Sequence, residues 1–215
     1  MEKRLVVALD IKDGEKAVRM ARDLSPEVFA MKINWPLVLY SKPEIISEIA
    51  SFSRVICDFK VADIPNTNRL IVERVRDLGA YAVIVHSVFG HDSLSAAVEA
   101  AGDTRVIAVV SMSHPGAREF IGPLGDRLLD LALSSGTYGI IAPGNDPETL
   151  SALKSRSGSL KIFTPGIGAQ GGDPAEAVRA GSDYLIVGRA IYDSQDPLGE
   201  ARRINDRISK ATLPQ

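Results

Sequence analysis

Residues 54–68 read RVICDFKVADIPNTN and hold one complete passage from strand to helix. Val55-Ile56-Cys57 is a continuous apolar run, the pattern of a strand buried on both faces, as in parallel sheets. Charge then arrives abruptly at Asp58, Lys60 and Asp63. In an extended strand residues i and i+2 share a face, so Asp58 and Lys60 point one way and Phe59 the other. Pro65 disfavours a helical conformation at Ile64, which leaves Asp63 on the loop or just before the next helix. The amphipathic stretch NRLIVERVRDLG follows and closes the unit.

The same passage recurs on both sides. Apolar runs stand at LVVALD (5–10), VFAMKI (28–33), YAVIVH (81–86), RVIAVVS (105–111), YGIIAP (138–143), LKIFTP (160–165) and DYLIVG (183–188). Stretches with helical spacing, such as GEKAVRMARDL, SLSAAVEAAG and PAEAVRAG, lie between them. Gly79, Gly102 and Gly181 follow such stretches and read as the residues just past helix ends. Asp173 before Pro174 reads as an N-cap and first helical residue. Successive run ends lie 22 to 32 residues apart, the length of a βα unit. Eight such units predict an α/β fold, a single (β/α)8 TIM barrel forming one domain over residues 1–215. An open doubly wound sheet would more often show five or six strands and a phosphate loop after the first.

Composition agrees. Of 215 residues, 45% are apolar and 24% charged, enough to bury a full core and unlike a disordered chain. A net charge of −2 argues against nucleic acid as a partner. Cys57 is the one cysteine, so no disulfide can form within the chain and a cysteine-rich metal site is excluded. The N-terminal run is too short for a signal peptide, and no window nears the roughly 18 apolar residues that span a bilayer. The expectation is a cytoplasmic protein with no membrane partner.

A barrel places its chemistry at the C-terminal ends of its strands. Asp10, Lys32, Asp58 and Lys60 stand at such ends in the first three units. Alternating carboxylates and ammoniums keep one another charged, either as a structural salt-bridge cluster or as a reactive array. In the seventh unit Gly166, Gly168 and Gly171 fit G-x-G-x-x-G within PGIGAQGGDP. A dinucleotide reading fails there, because Asp183 precedes its strand instead of ending it. A loop whose backbone N–H groups approach a phosphate fits better, and Gly188 and Arg189 in the next unit supply the second half of that site. Ser113, in SMSHPGA at 111–117, reads as a hydrogen-bonding group for a ligand ring, since no nucleophile elbow surrounds it. The three histidines lack zinc spacing, while Asp10, Asp58 and Asp63 leave Mg²⁺ open.

The chain resembles the orotidine 5′-phosphate decarboxylase family, in its shorter microbial and archaeal form. DFKVADIPNTN at 58–68, SMSHPGA at 111–117, PGIGAQGGDP at 165–174 and VGRAIY at 187–192 carry the resemblance, with ALD at 8–10 and Lys32. The resemblance implies decarboxylation of orotidine 5′-monophosphate to UMP in pyrimidine biosynthesis. It implies no metal or other cofactor, and a homodimer with shared active sites. Lys60 would protonate C6 of the pyrimidine, with Asp58 and Lys32 completing a charged array and Asp63 joining it from the second subunit. Asp10 and Lys32 would contact the ribose. Ile64 and Thr67 would reach across the dimer interface. Ser113 would bond the ring, Gln170 would bridge ring and phosphate, and Gly188 and Arg189 would hold the phosphate. Pro165 and Ile167 would line the pocket near the leaving carboxylate. The D-x-K-x-x-D signature is shared with a sister group that includes 3-keto-gulonate-6-phosphate decarboxylase. The alternative is therefore a Mg²⁺-dependent sugar-phosphate decarboxylase or aldolase.

Overall fold

The computed structural model describes residues 3–212; residues 1–2 and 213–215 of the expected domain lie outside the described residues. Eight parallel strands close on themselves in chain order, β1 pairing with both β2 and β8. They are β1 (Leu5–Ala8), β2 (Ala30–Asn34), β3 (Val55–Val61), β4 (Ala82–His86), β5 (Arg105–Val109), β6 (Gly139–Ile141), β7 (Lys161–Thr164) and β8 (Tyr184–Val187). The helices are α1 (Gly14–Leu24), α2 (Trp35–Tyr40), α3 (Ile45–Ala50), α4 (Pro65–Asp77), α5 (His91–Ala101), α6 (Gly125–Ser134), α7 (Pro147–Arg156), α8 (Pro174–Arg179), α9 (Arg189–Tyr192) and α10 (Pro197–Thr212). Among the described residues no helix is long and apolar enough to cross a membrane.

Local signals set the helix ends. Asp13 caps α1 by accepting from the Lys16 N–H, and Asp173 caps α8 by accepting from Ala175 and Glu176. Ile64 is extended (φ −64°, ψ 158°) and Pro65 opens α4, as the proline requires. Gly79, Gly102 and Gly181 all take positive φ past helix ends. The β2–β3 connection holds two short helices where a continuous one would fit by length. The chain leaves the first of them at Ser41 (φ −120°, ψ −115°), and Pro43 disfavours a helical conformation at Lys42.

Two apolar layers result. The outer layer packs strands against helices through residues such as Leu5, Val7, Ile33, Val85 and Leu185. The inner layer fills the barrel with Val6, Ile56, Ile84, Ile107, Ile141, Phe163 and Ile186. Toward the N-terminal ends of the strands the barrel has an aromatic floor. Phe163 stacks on Tyr184 at 4.7 Å, and Tyr184 stacks on Phe29 at 4.0 Å. The Arg54 and Arg105 guanidiniums lie over Phe29, Tyr81 and Tyr138 at 4.4–5.4 Å. The floor and inner layer confine the polar strand ends to the opposite mouth.

The β3–β4 ladder breaks between Cys57 and Val61, where four residue steps on β3 face two on β4 between Val83 and Val85. Lys60 lies inside this bulge with φ 42°, the one non-glycine residue at positive φ among those described. The sequence reading treated residues 58–60 as plain extended strand. The bulge instead re-aims the strand end, at a backbone cost of about 1–3 kcal/mol.

Phe163 is fully buried and joins the inner layer to the floor. Phe163→Ala is expected to lower unfolding free energy by about 3–5 kcal/mol, read as a drop in urea midpoint with unchanged far-ultraviolet dichroism.

Candidate active site

Four charged side chains form a continuous chain at the mouth of β1–β3. Lys32 Nζ donates to Asp10 Oδ1 at 3.1 Å and to Asp58 Oδ2 at 2.9 Å. Lys60 Nζ donates to Asp58 Oδ1 at 2.7 Å. The order is Asp10, Lys32, Asp58, Lys60, with signs alternating. Lys32 is buried and its side chain is 6% exposed, whereas that of Lys60 is 39% exposed. The inner member thus serves its neighbours, and the outer one presents its ammonium to the cleft.

Burial alone would push the Lys32 pKa down. The carboxylates of Asp58 and Asp10 outweigh it and hold the ammonium above its ordinary range. Burial alone would push Asp58 up, but Lys32 and then Lys60 outweigh it and hold the carboxyl below its ordinary range. His86, at the end of β4, has its pKa lowered by burial and then by the Lys60 ammonium, which favours a neutral imidazole.

Across the cleft the loop after β7 turns on Gly166, Gly168 and Gly171, at φ 94°, 74° and 91°. Side chains rarely adopt these conformations, so glycine is required. The N–H groups of Gly168, Gly171 and Gly172 bond carbonyls within the loop itself. They shape the loop and do not face a ligand, so the glycine spacing marks turns more than it marks anion donors. Gly188 follows β8, where a Cβ would meet the Tyr192 ring at 3.3 Å and Ala8 Cβ at 3.5 Å. Arg189 opens α9 and forms no ion pair among the described residues. Ser113 Oγ donates to Gln170 Oε1 at 2.8 Å and ties the loop after β5 to the loop after β7.

One cleft of about 870 Å³, its open mouth included, is lined by Gly166 of the glycine loop and by ten of the residues to which the resemblance assigns a role. Asp10, Lys32, Asp58 and Lys60 form one wall, and Ser113, Pro165, Ile167, Gln170, Gly188 and Arg189 form the other. Ile84, Ile141 and Ile186 supply an apolar base. Such a cleft suits a small ligand with polar groups near the charges and an anion near Arg189 at the far rim. Asp63, Ile64 and Thr67 do not line it. Asp63 accepts from the Ile64 N–H, and Ile64 is 62% exposed. Trp35 and Phe89, which follow β2 and β4, are exposed as well.

Two cleft residues and one that orients a third escaped the sequence reading. Met112 and Tyr192 line the wall, and Asn34 Nδ2 donates to Asp10 Oδ1 at 2.8 Å. Asn34 lies two residues past Lys32 on one strand, the same i, i+2 signal that singled out Asp58 and Lys60. Two donors on Asp10 Oδ1 leave Oδ2 to face the cleft. Among the described residues no cluster of three or more His, Cys, Asp or Glu could hold a metal ion. The Lys32 ammonium sits between Asp10 and Asp58, where a bridging cation would have to sit.

Residues 3–204 match the family model described as orotidine 5′-phosphate decarboxylase / HUMPS family. The chain is 52% identical to the orotidine 5′-phosphate decarboxylase of Thermoplasma volcanium over 98% of this chain and 95% of the relative. It is 45% identical to that of Pyrococcus furiosus over 96% and 98%. Among solved structures it is similar to the Pyrococcus horikoshii enzyme, with a TM-score of 0.89, 46% identity, and coverage of 95% of this chain and 99% of that one. It is also similar to the Methanocaldococcus jannaschii enzyme complexed with the inhibitor BMP, with a TM-score of 0.92, 40% identity, and coverage of 97% and 99%.

Asp58→Asn should cost about 1.5–3 kcal/mol at neutral pH, because buried Lys32 loses one of its two charged hydrogen-bond partners and keeps only Asp10. It should also flatten both limbs of the stability–pH profile. The depressed Asp58 carboxyl stabilises the fold above about pH 4, and that contribution fades as acid titrates it. The raised Lys32 stabilises the fold below about pH 10.5 and fades as alkali titrates it. Urea titrations across pH measure both limbs.

Proposed function

We propose that this chain, which belongs to the orotidine 5′-phosphate decarboxylase / HUMPS family and is a carboxy-lyase, converts orotidine 5′-monophosphate to UMP in pyrimidine biosynthesis. The observation that carries this reading is the alternating Asp10–Lys32–Asp58–Lys60 chain, which faces a rim built from the β7 glycine loop and Arg189.

The chemistry follows from where charge must go. The bond from C6 to the carboxylate breaks, CO₂ leaves, and the electron pair stays on C6 in the plane of the ring. No carbonyl is placed to delocalise it. The Lys60 ammonium, fixed by Asp58 at 2.7 Å and by its bulged backbone, meets that charge and delivers its proton to C6. Solvent then returns a proton to Lys60. Two unit charges 4 Å apart interact by about 4 kcal/mol at an effective dielectric of about 20. Enzymes remove about 8–23 kcal/mol of barrier, so one ammonium is not enough and binding energy must supply the rest. Arg189, Gly188 and Gln170 grip the phosphate and Ser113 bonds the ring. Their binding energy presses the substrate carboxylate toward Asp58, beside Pro165 and Ile167. Asp10, oriented by Asn34, and Lys32 take the ribose hydroxyls.

The position of the Lys32 ammonium between the carboxylates supports a reaction that uses no metal, in contrast to the Mg²⁺ chemistry of the sister group. Exposed apolar side chains just past three successive strands, Trp35 after β2, Ile64 after β3 and Phe89 after β4, support a homodimer in which Asp63, Ile64 and Thr67 complete the partner's cleft. A small soluble nucleotide as substrate fits a cytoplasmic enzyme.

Lys60→Ala is expected to abolish measurable loss of orotidine monophosphate absorbance while leaving the unfolding curve intact, and wild-type turnover should survive EDTA. Near-normal turnover by the variant, or loss of activity on chelation, would overturn the assignment. Shared sites predict complementation between subunits. When inactive Lys60→Ala and Asp63→Ala subunits re-pair at random, half the dimers are mixed and each holds one intact site. About a quarter of wild-type activity should therefore return.

A further inference from the structure

We propose that Asn145 is a positioning residue that buckles together the loops after β5 and β7, and so sets the reach of Ser113 and Gln170; what those two groups touch rests on the functional reading above. Asn145 stands in the turn after β6 and does not line the cleft. Its Nδ2 donates to the Ser113 carbonyl at 3.1 Å. Ser113 Oγ in turn donates to Gln170 Oε1 at 2.8 Å. The carboxamide thus fixes the peptide from which the bridging hydroxyl projects.

The turn that carries Asn145 rides on the seventh loop. Gly144 N donates to the Pro165 carbonyl at 2.8 Å, and a Cβ on Gly144 would lie 2.6 Å from Ile167 and from Thr164. A Cβ on Gly172 would lie 2.8 Å from the Gly144 carbonyl oxygen. No side chain fits between the two loops at either point. Gly166 is the meeting place of all three, since a Cβ there would sit 3.2 Å from Ser113 Cβ and 3.3 Å from Asn145 Oδ1. On its other side Asn145 adjoins Asp146, which caps α7 by accepting from the Thr149 N–H at 3.0 Å and the Thr149 hydroxyl at 2.9 Å. The carboxamide therefore projects from a fixed helix start, packed by its backbone against one loop and hydrogen-bonded to the other.

A side chain in this position shapes binding without touching the reacting atoms. Asn145→Ala should raise KM for orotidine monophosphate about five- to tenfold with kcat within about twofold, the scale of one hydrogen bond lost from a binding loop. Amide hydrogen exchange over residues 111–118 and 165–173 should quicken by about the same factor in the free protein, while strand peptides stay unchanged. Asn145→Asp keeps the shape but cannot donate when ionised, and regains a donor when protonated. Its KM relative to wild type should therefore fall as the pH is lowered from about 7 to about 4, through the ordinary aspartate range. A purely structural role would leave that ratio flat. Wild-type exchange in both loops of Asn145→Ala, or a pH-independent ratio for Asn145→Asp, overturns the proposal. Absence of wild-type turnover would count against the functional reading alone, and the exchange rates would still decide whether Asn145 joins the loops.

Discussion

The buried ammonium of Lys32 is the constraint on which the rest of the mouth depends. It is shared between Asp10 and Asp58, two carboxylates that would otherwise repel each other at the edge of an apolar barrel. Sharing leaves one oxygen of each for other work. Asp58 turns its second oxygen to Lys60, and Asp10 leaves its second oxygen to the cleft. Apolar residues of similar volume would match the stability of such a cluster at least as well, so its retention makes sense as the frame for an exposed cation of fixed direction.

Backbone geometry answers to the same need. A regular β3 would have kept its ladder with β4, yet two extra residue steps are inserted and Lys60 is held at positive φ. The opposite rim reaches its shape in another way, through glycines at turns and at points of backbone contact. One wall is strained and charged, and the other is tightly packed. Both stand on an inner barrel layer dominated by packed aliphatic and aromatic side chains.

Much of this was legible in the chain. Continuous apolar runs identify strands buried on two faces, and their spacing leaves room for one helix each, so the closed barrel follows from arithmetic. Asp10, Lys32, Asp58 and Lys60 were visible because charge at the end of such a run is costly without a partner. The bulge at Lys60 was not visible, because nothing in the local sequence departs from strand preference. Asn145 was hidden for a different reason. Its partner is a backbone carbonyl 32 residues away, and a carbonyl leaves no mark in a sequence. Asp63, Ile64 and Thr67 carry the family signature yet sit outside their own cleft; in the proposed dimer their target would belong to another copy of the chain.

The ring of arginine and aromatic side chains beneath the barrel makes the cleft a blind alley. Whatever enters or leaves must use the one mouth at the C-terminal ends of the strands, and in the proposed reaction CO₂ and nucleotide would share it. A protein built this way would couple the departure of its two products through that shared exit.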